Sequence, residues 1–211
     1  MKLGQTQNTT LIPKWKQRSH DTHLKHLKLY SNKHFSVAFL GDSMMERWLG
    51  TGISFWDKFF DGYANLGVGG DRIENLLYRL TSNQEFKGIL DVITVDKIIL
   101  MIGTNNLEKT KVNDILEGIV YIINLIFQKQ PNVEIVVYGL TARTDIVLTK
   151  INELNTKLHT YIKDENNSKL KYRDFGDKIN NEDKFFVDNV HLSFDGYSAW
   201  FDDLKKVLGF K

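Results

Sequence analysis

Four short, mainly apolar runs, each stopping at a glycine, fix the class of fold open to this chain. Phe35–Leu40 precedes Gly41, Tyr63–Leu66 precedes Gly67, Lys97–Ile102 precedes Gly103 and Val133–Tyr138 precedes Gly139. Their length and their β-branched and aromatic content are those of buried strands. The segments between them carry helical stripes: Ile73, Leu76, Leu77 and Leu80; then Val112, Ile115, Ile119, Ile122 and Ile126; then Ile151, Leu154, Leu158 and Ile162. A fifth strand is predicted over Leu170–Arg173, and a last helix carries Tyr197, Trp200, Phe201, Leu204 and Leu208. Apolar strands alternating with amphipathic helices predict an α/β fold, a parallel sheet covered on both faces, because right-handed crossovers place helices there.

The 211 residues suit one domain with a sizeable core. Residues 1–11 read as a polar, weakly ordered lead-in and 12–211 as the domain. From Pro13 the pattern turns helical, with Trp15, His23 or Leu24, Leu27 and Tyr30 able to share a face. Residues 81–96 carry no clear pattern beyond a short helix around Phe86–Leu90. Asp71 is a good N-cap for the helix from Arg72 to Leu80.

A formal net charge of +2, with scattered lysines, gives no basis for a nucleic-acid groove or an anionic membrane surface. The absence of cysteine removes disulfides, thiolate nucleophiles and thiolate metal sites. No run has the length of a membrane span and the first residues hold no apolar leader core, so a cytoplasmic protein is expected. His20, His23 and His26 recur every three residues, but without thiolates or a well-placed carboxylate they read as a solvated helix face, not a metal site. The glycines from Gly67 to Gly70 lack the spacing of a dinucleotide-binding turn, since Arg72 stands where a third glycine belongs. The aromatic cluster from Phe55 to Phe60 is assigned to the core, with lining of an acyl pocket as the alternative.

In open parallel sheets, ligands bind at the carboxyl ends of the strands. Three of those ends carry Gly41-Asp42-Ser43, Gly69-Gly70-Asp71 and Gly103-Thr104-Asn105. Ser43 falls at a strand-to-helix junction, where amide hydrogens and the positive end of the helix can stabilise negative charge. Serine is also a preferred N-cap, so position alone leaves both roles open. Asp42 reads as structural, bonding amide hydrogens around the turn. Near the other end of the chain, Asp188 and His191 stand three residues apart in a loop before the last helix. That spacing lets a carboxylate orient one ring nitrogen while the other meets a nucleophile, and it equally suits a local loop hydrogen bond.

Taken together and in order, Gly41-Asp42-Ser43, Gly70, Gly103-x-Asn105 and Asp188-x-x-His191 resemble the four signature blocks of the SGNH hydrolase superfamily, the GDSL esterases and lipases. The resemblance runs from about Phe35 to about Leu208. Gly67-Val68-Gly69-Gly70-Asp71, Ile102-Gly103-Thr104-Asn105-Asn106 and Asp188-Asn189-Val190-His191-Leu192 look most like the catalytic subunits of intracellular platelet-activating-factor acetylhydrolase. Met44 stands where leucine is common, Asn106 where many members carry aspartate, and the 81–96 stretch is longer than that branch needs. The elbow differs from the Gly-x-Ser-x-Gly of α/β-hydrolases.

The resemblance implies a flavodoxin-like three-layer domain acting as a serine esterase on short, acetyl-like esters. It implies Ser43 as nucleophile, His191 as base, Asp188 as the acid orienting it, and an oxyanion hole from Ser43, Gly70 and Asn105. No metal or cofactor is expected, and the substrate is a small ester. The resemblance leaves open a carbohydrate O-deacetylase or a lysophospholipase using the same residues, and a homodimer. The alternative from another class is a dimeric binding subunit.

Overall fold

The computed structural model describes residues 7–179 and 183–210. The apolar runs become strands: β1 (His34–Gly41), β2 (Ala64–Gly67), β3 (Thr94–Met101), β4 (Glu134–Tyr138) and β5 (Leu170–Arg173). All neighbouring strands are parallel, in the order β2-β1-β3-β4-β5. This is the doubly wound, flavodoxin-like order, whose direction of winding reverses between β1 and β3. Ala38, Phe39 and Leu40 in β1 and Ile98, Ile99 and Leu100 in β3 are wholly buried, because both faces of the central strands are covered by helices. At the edge, β5 exposes Lys171, whose ammonium pairs with Glu134.

The helices are α1 (Gln17–Tyr30), α2 (Ser43–Glu46), α3 (Ile53–Phe59), α4 (Ile73–Leu80), α5 (Val112–Lys129), α6 (Leu148–Asp164) and α7 (Phe194–Leu208). The stripe Ile115, Ile119, Ile122 and Ile126 faces the core from α5, and Ile151, Leu154, Leu158 and Ile162 face it from α6. Each of these stripes follows the three- and four-residue spacing of one helix face. The aromatic cluster packs inward: Phe60 is wholly buried, and Phe55 and Phe59 stack on or tilt against Phe201 of α7. No helix among the described residues is long and apolar enough to cross a membrane.

Several expectations are corrected. Asn8 and Thr10 donate from their side chains to the carbonyl of Asp114 in α5, and Thr10 is buried, so the later part of the lead-in is docked. Residues 1–6 lie outside the described residues. The histidine face of α1 is not solvated: Phe86 meets His23 edge-on, and His23 donates from Nε2 to the Lys87 carbonyl at 3.0 Å. Of the residues expected to share a face of α1, Trp15 is exposed, and between His23 and Leu24 it is His23 that is buried while Leu24 is exposed. The 86–90 helix is replaced by a 3-10 turn over Ile89–Asp91, after which β3 begins three residues earlier than expected. Phe86, Ile89, Leu90, Ile93 and Val95 are all buried along this irregular path of loop, 3-10 turn and strand.

Candidate active site

The site forms where the carboxyl ends of β1, β2 and β3 meet. β1 ends at Gly41, and any side chain there would overlap the carbonyl oxygen of Met101 in β3. Only glycine lets the two central strands stay paired up to the point where the chain turns. Asp42 then caps α2, its Oδ1 accepting from the Met44 amide at 2.9 Å, as expected of a structural residue. Its Oδ2 has no partner among the described residues. Burial pushes this carboxyl up to about 7, the Met44 amide opposing and the nearby Asp71 reinforcing the shift.

Ser43 is the first residue of α2, 7% exposed. The His191 Nε2 lies 2.9 Å from its Oγ, across 148 residues of sequence. On the other side of the ring, Nδ1 is 2.7 Å from Asp188 Oδ2. An ionised carboxylate can only accept, so Nδ1 carries the ring hydrogen and Nε2 is free to accept from Ser43. Asp188 Oδ1 in turn accepts from the amides of Val190 at 2.8 Å and His191 at 2.7 Å. Partial burial alone would raise the Asp188 carboxyl, but these amides and the imidazole outweigh it and hold the group at about 2. The loop is closed by the bridge between Phe186 and Leu192, and its tip is tied to the loop after β4 through Thr144 Oγ1, which donates to Asn189 Oδ1 at 2.6 Å.

Gly70 sits at the end of β2 with φ +74°, a conformation glycine adopts without strain. Its carbonyl accepts from Lys16 Nζ at 2.6 Å. Asn105 follows Gly103 at the end of β3 and donates one Nδ2 hydrogen to the Asp71 carbonyl at 2.9 Å, leaving its second amide hydrogen for another acceptor. Ser43, His191 and Asp188 are therefore directly connected, while Gly70 and Asn105 are linked to each other through Asp71.

Asp71 is not the helix cap. Arg72 occupies that position, its amide donating to Asn75 Oδ1 at 3.0 Å, while Ile73 N donates to Asn106 Oδ1 at 3.0 Å. Asp71 instead pairs with Arg79, donor to acceptor 2.8 Å, both side chains fully buried, and accepts from Ser19 as well. Arg79 also donates to the carbonyls of Leu66 at 3.1 Å and Gly41 at 3.2 Å. A single guanidinium thereby ties together the ends of β1 and β2 and the turn after β2. Sequence reasoning missed this residue; the available signal was an arginine one position before Leu80 in an otherwise inward-facing stripe. Tyr197 of α7 is wholly buried, and its hydroxyl donates to the Met44 carbonyl at 2.8 Å. Among the described residues, no group of three or more potential ligands could hold a metal ion.

Residues 39–199 match the model of the GDSL-like lipase/acylhydrolase family. The chain is 32% identical over 134 residues to human platelet-activating factor acetylhydrolase IB subunit alpha2, a match covering 63% of this chain and 55% of the relative. It thus spans little more than half the length of that relative. A solved structure from Streptococcus pneumonia shares the fold with a TM-score of 0.72 at 22% identity, covering 90% of this chain and 92% of the other. A carbohydrate esterase family 3 structure from Talaromyces cellulolyticus does so with a TM-score of 0.62 at 15% identity, covering 82% and 96%. With most of its length matched, including the end of the strand that leads into Ser43 and the loop that carries His191, the chain belongs to the GDSL-like lipase/acylhydrolase family.

Proposed function

We propose that this chain is a serine esterase that cleaves short-chain carboxylic esters through Ser43, His191 and Asp188. The reading is carried by one observation: Ser43 Oγ, both ring nitrogens of His191 and the Asp188 carboxylate form an unbroken hydrogen-bonded line with the ring hydrogen on the Asp188 side. In this mechanism His191 Nε2 takes the Ser43 proton as Oγ bonds to the ester carbonyl carbon. The resulting oxyanion accepts from the amides of Ser43 and Gly70 and from Asn105 Nδ2. Collapse of the intermediate breaks the bond to the leaving alcohol, which receives the proton from His191. Water then attacks the acyl-enzyme, giving its proton to His191 and restoring Ser43. Neither a metal nor a cofactor enters these steps.

The short acyl preference is supported by the acetylhydrolase relatives. Those relatives are named as subunits, and a homodimer in the cytoplasm belongs to the same proposal. Hydrolysis of p-nitrophenyl esters from acetate to palmitate tests it, with native protein and Ser43→Ala at equal concentration. The expected result is acetate cleavage well above that of palmitate, falling by at least about 1,000-fold in the variant. Activity that survives Ser43→Ala would sink the mechanism. A preference for acetylated sugars over acetylated glycerolipids would move the reading to a carbohydrate O-deacetylase.

A further inference from the structure

The amino-terminal arm and α1 precede the residues matched by the family model, which begin at 39, yet they are bonded to the end of β2 and the start of α4 at several points. Lys14 N donates to the Glu74 carbonyl at 2.8 Å, and Asn75 Nδ2 donates back to the Lys14 carbonyl at 2.9 Å. Ser19 bonds to Asp71. Between them, Lys16 Nζ donates to the Gly70 carbonyl at 2.6 Å and fills the space a side chain at position 70 would take, 2.9 Å from the place of its Cβ. Among the described residues Lys16 makes no ion pair with a carboxylate, and the Gly70 carbonyl is the acceptor its ammonium meets.

From this we propose that Lys16 is a positioning residue for ester cleavage: its ammonium clamps the Gly70 carbonyl and thereby fixes the direction of the Gly70 amide. The proposal rests on the esterase reading above. A glycine at φ +74° has little steric resistance to rotation of its flanking peptides, so something other than its own side chain must hold it. The carbonyls of Gly70 and Asp71 are occupied in succession, by Lys16 and by Asn105. The Gly70 amide has no protein acceptor among the described residues; the peptide that follows it is held at both ends, its N–H by the Val68 carbonyl at 3.1 Å and its carbonyl by Lys16, which restrains the residue about which the amide turns and keeps it open for an oxyanion. A preorganised donor acts in the transition state more than in the ground state, so loss of the clamp lowers kcat and leaves KM nearly unchanged.

The test is p-nitrophenyl acetate kinetics on the full chain for native protein, Ser43→Ala, Lys16→Met, Lys16→Arg, Gly70→Ala, the double variant of positions 16 and 70, and the exposed-lysine control Lys14→Met. Circular dichroism checks that each is folded. Losing a whole oxyanion donor lowers kcat about 100- to 1,000-fold, so loosening one is expected to cost about 10- to 100-fold in Lys16→Met. KM should move less than about twofold, Lys16→Arg should stay within about threefold of native, and Lys14→Met should match native. In the Gly70→Ala background, Lys16→Met should remove little more, because the amide is already displaced. A kcat for Lys16→Met within twofold of native, a change confined to KM, no rescue by arginine, or additive losses at positions 16 and 70 would each overturn the clamp while leaving the esterase reading intact. Activity absent from native protein, or surviving Ser43→Ala, would instead overturn that reading and the clamp with it.

Discussion

The two halves of the site are built in opposite ways. The half at the strand ends, with Ser43 and the Gly70–Asp71 turn, rests on groups that water does not reach: Arg79 and Asp71 are fully buried, and Asn65 donates to the Met45 carbonyl and accepts from the Gly67 amide. The half in the loop before α7 is partly open, with the side chains of Asp188 and His191 48% and 22% exposed. It is held by its own short bridge and by contacts to the loop after β4. The difference separates two tasks. Buried charge fixes where the serine stands, at a cost in stability if any member is lost. A wet loop brings the imidazole up to it and can be altered with little effect on the fold.

The sharpest way to test that separation is Asp188→Asn. The amides of Val190 and His191 both donate to Asp188 Oδ1, so an asparagine would place its oxygen there and its NH2 against His191 Nδ1. Nδ1 would then have to accept, the ring hydrogen would move to Nε2, and the nitrogen facing Ser43 would no longer take a proton. The expected loss in kcat is about 10,000-fold, as for the same exchange in other serine triads. Stability should change by less than about 1 kcal/mol, since the site is half-exposed. A variant that unfolds, or one that keeps native kcat, would remove the distinction between the halves.

Arg79→Met asks the opposite question of the other half. It leaves the Asp71 carboxylate buried without its charge partner and takes donors from the carbonyls of Gly41 and Leu66. Breaking a buried pair this way costs about 3–5 kcal/mol, a large part of the total stability of a domain. The midpoint of urea unfolding reads it directly. A shift worth less than about 1 kcal/mol would mean that the strand ends are held by packing alone.

The same contrast marks what could be read from the residues. The order of strands and helices was legible because apolar runs and helical stripes report burial locally, residue by residue. Ser43, Asp188 and His191 stood as open alternatives by position alone, a cap or a nucleophile, a loop bond or a base, and only the resemblance of the four blocks taken in order singled them out. What escaped were choices between partners. Asp71 fits a helix cap by position, but the helix begins one residue later, at Ile73, and the Asp71 carboxylate goes to the buried Arg79 guanidinium, while the amides at the helix start find Asn75 and Asn106 instead. Residues 81–95 have no single periodicity because they bury apolar side chains from a path that passes from loop to a 3-10 turn to strand. His23 and His26 carry the same letters in a solvated face and in a core; only the docking of α1 against Phe86 decides between them.

That docking supplies the smallest of the expected effects, and it belongs to the buried half. His23 is wholly buried with its Nδ1 unpartnered, and Nδ1 of His26 is likewise buried without a partner. Burial, and then the positive charge of Arg79, hold His26 down at about 3. His23 is lowered to about 4 by burial, with the Lys87 carbonyl opposing and Arg79 and His20 adding to the shift. An unfolded histidine takes up its proton near pH 6.5, so below that pH the unfolded chain binds more protons than the folded one, and stability falls as the pH drops towards the folded values. The stabilisation is complete above about pH 6.5 and is lost progressively down to about pH 4 for His23, with about 3 kcal/mol at stake there, and down to about pH 3 for His26. Urea unfolding at pH 7.5 and at pH 5 should show the decline, and His23→Gln should make it shallower, leaving the part due to His26, since glutamine can still donate to the Lys87 carbonyl without titrating. If the two proteins lose stability equally on acidification, the acid sensitivity lies elsewhere, and the packing of α1 contributes to the buried half through shape and not through charge.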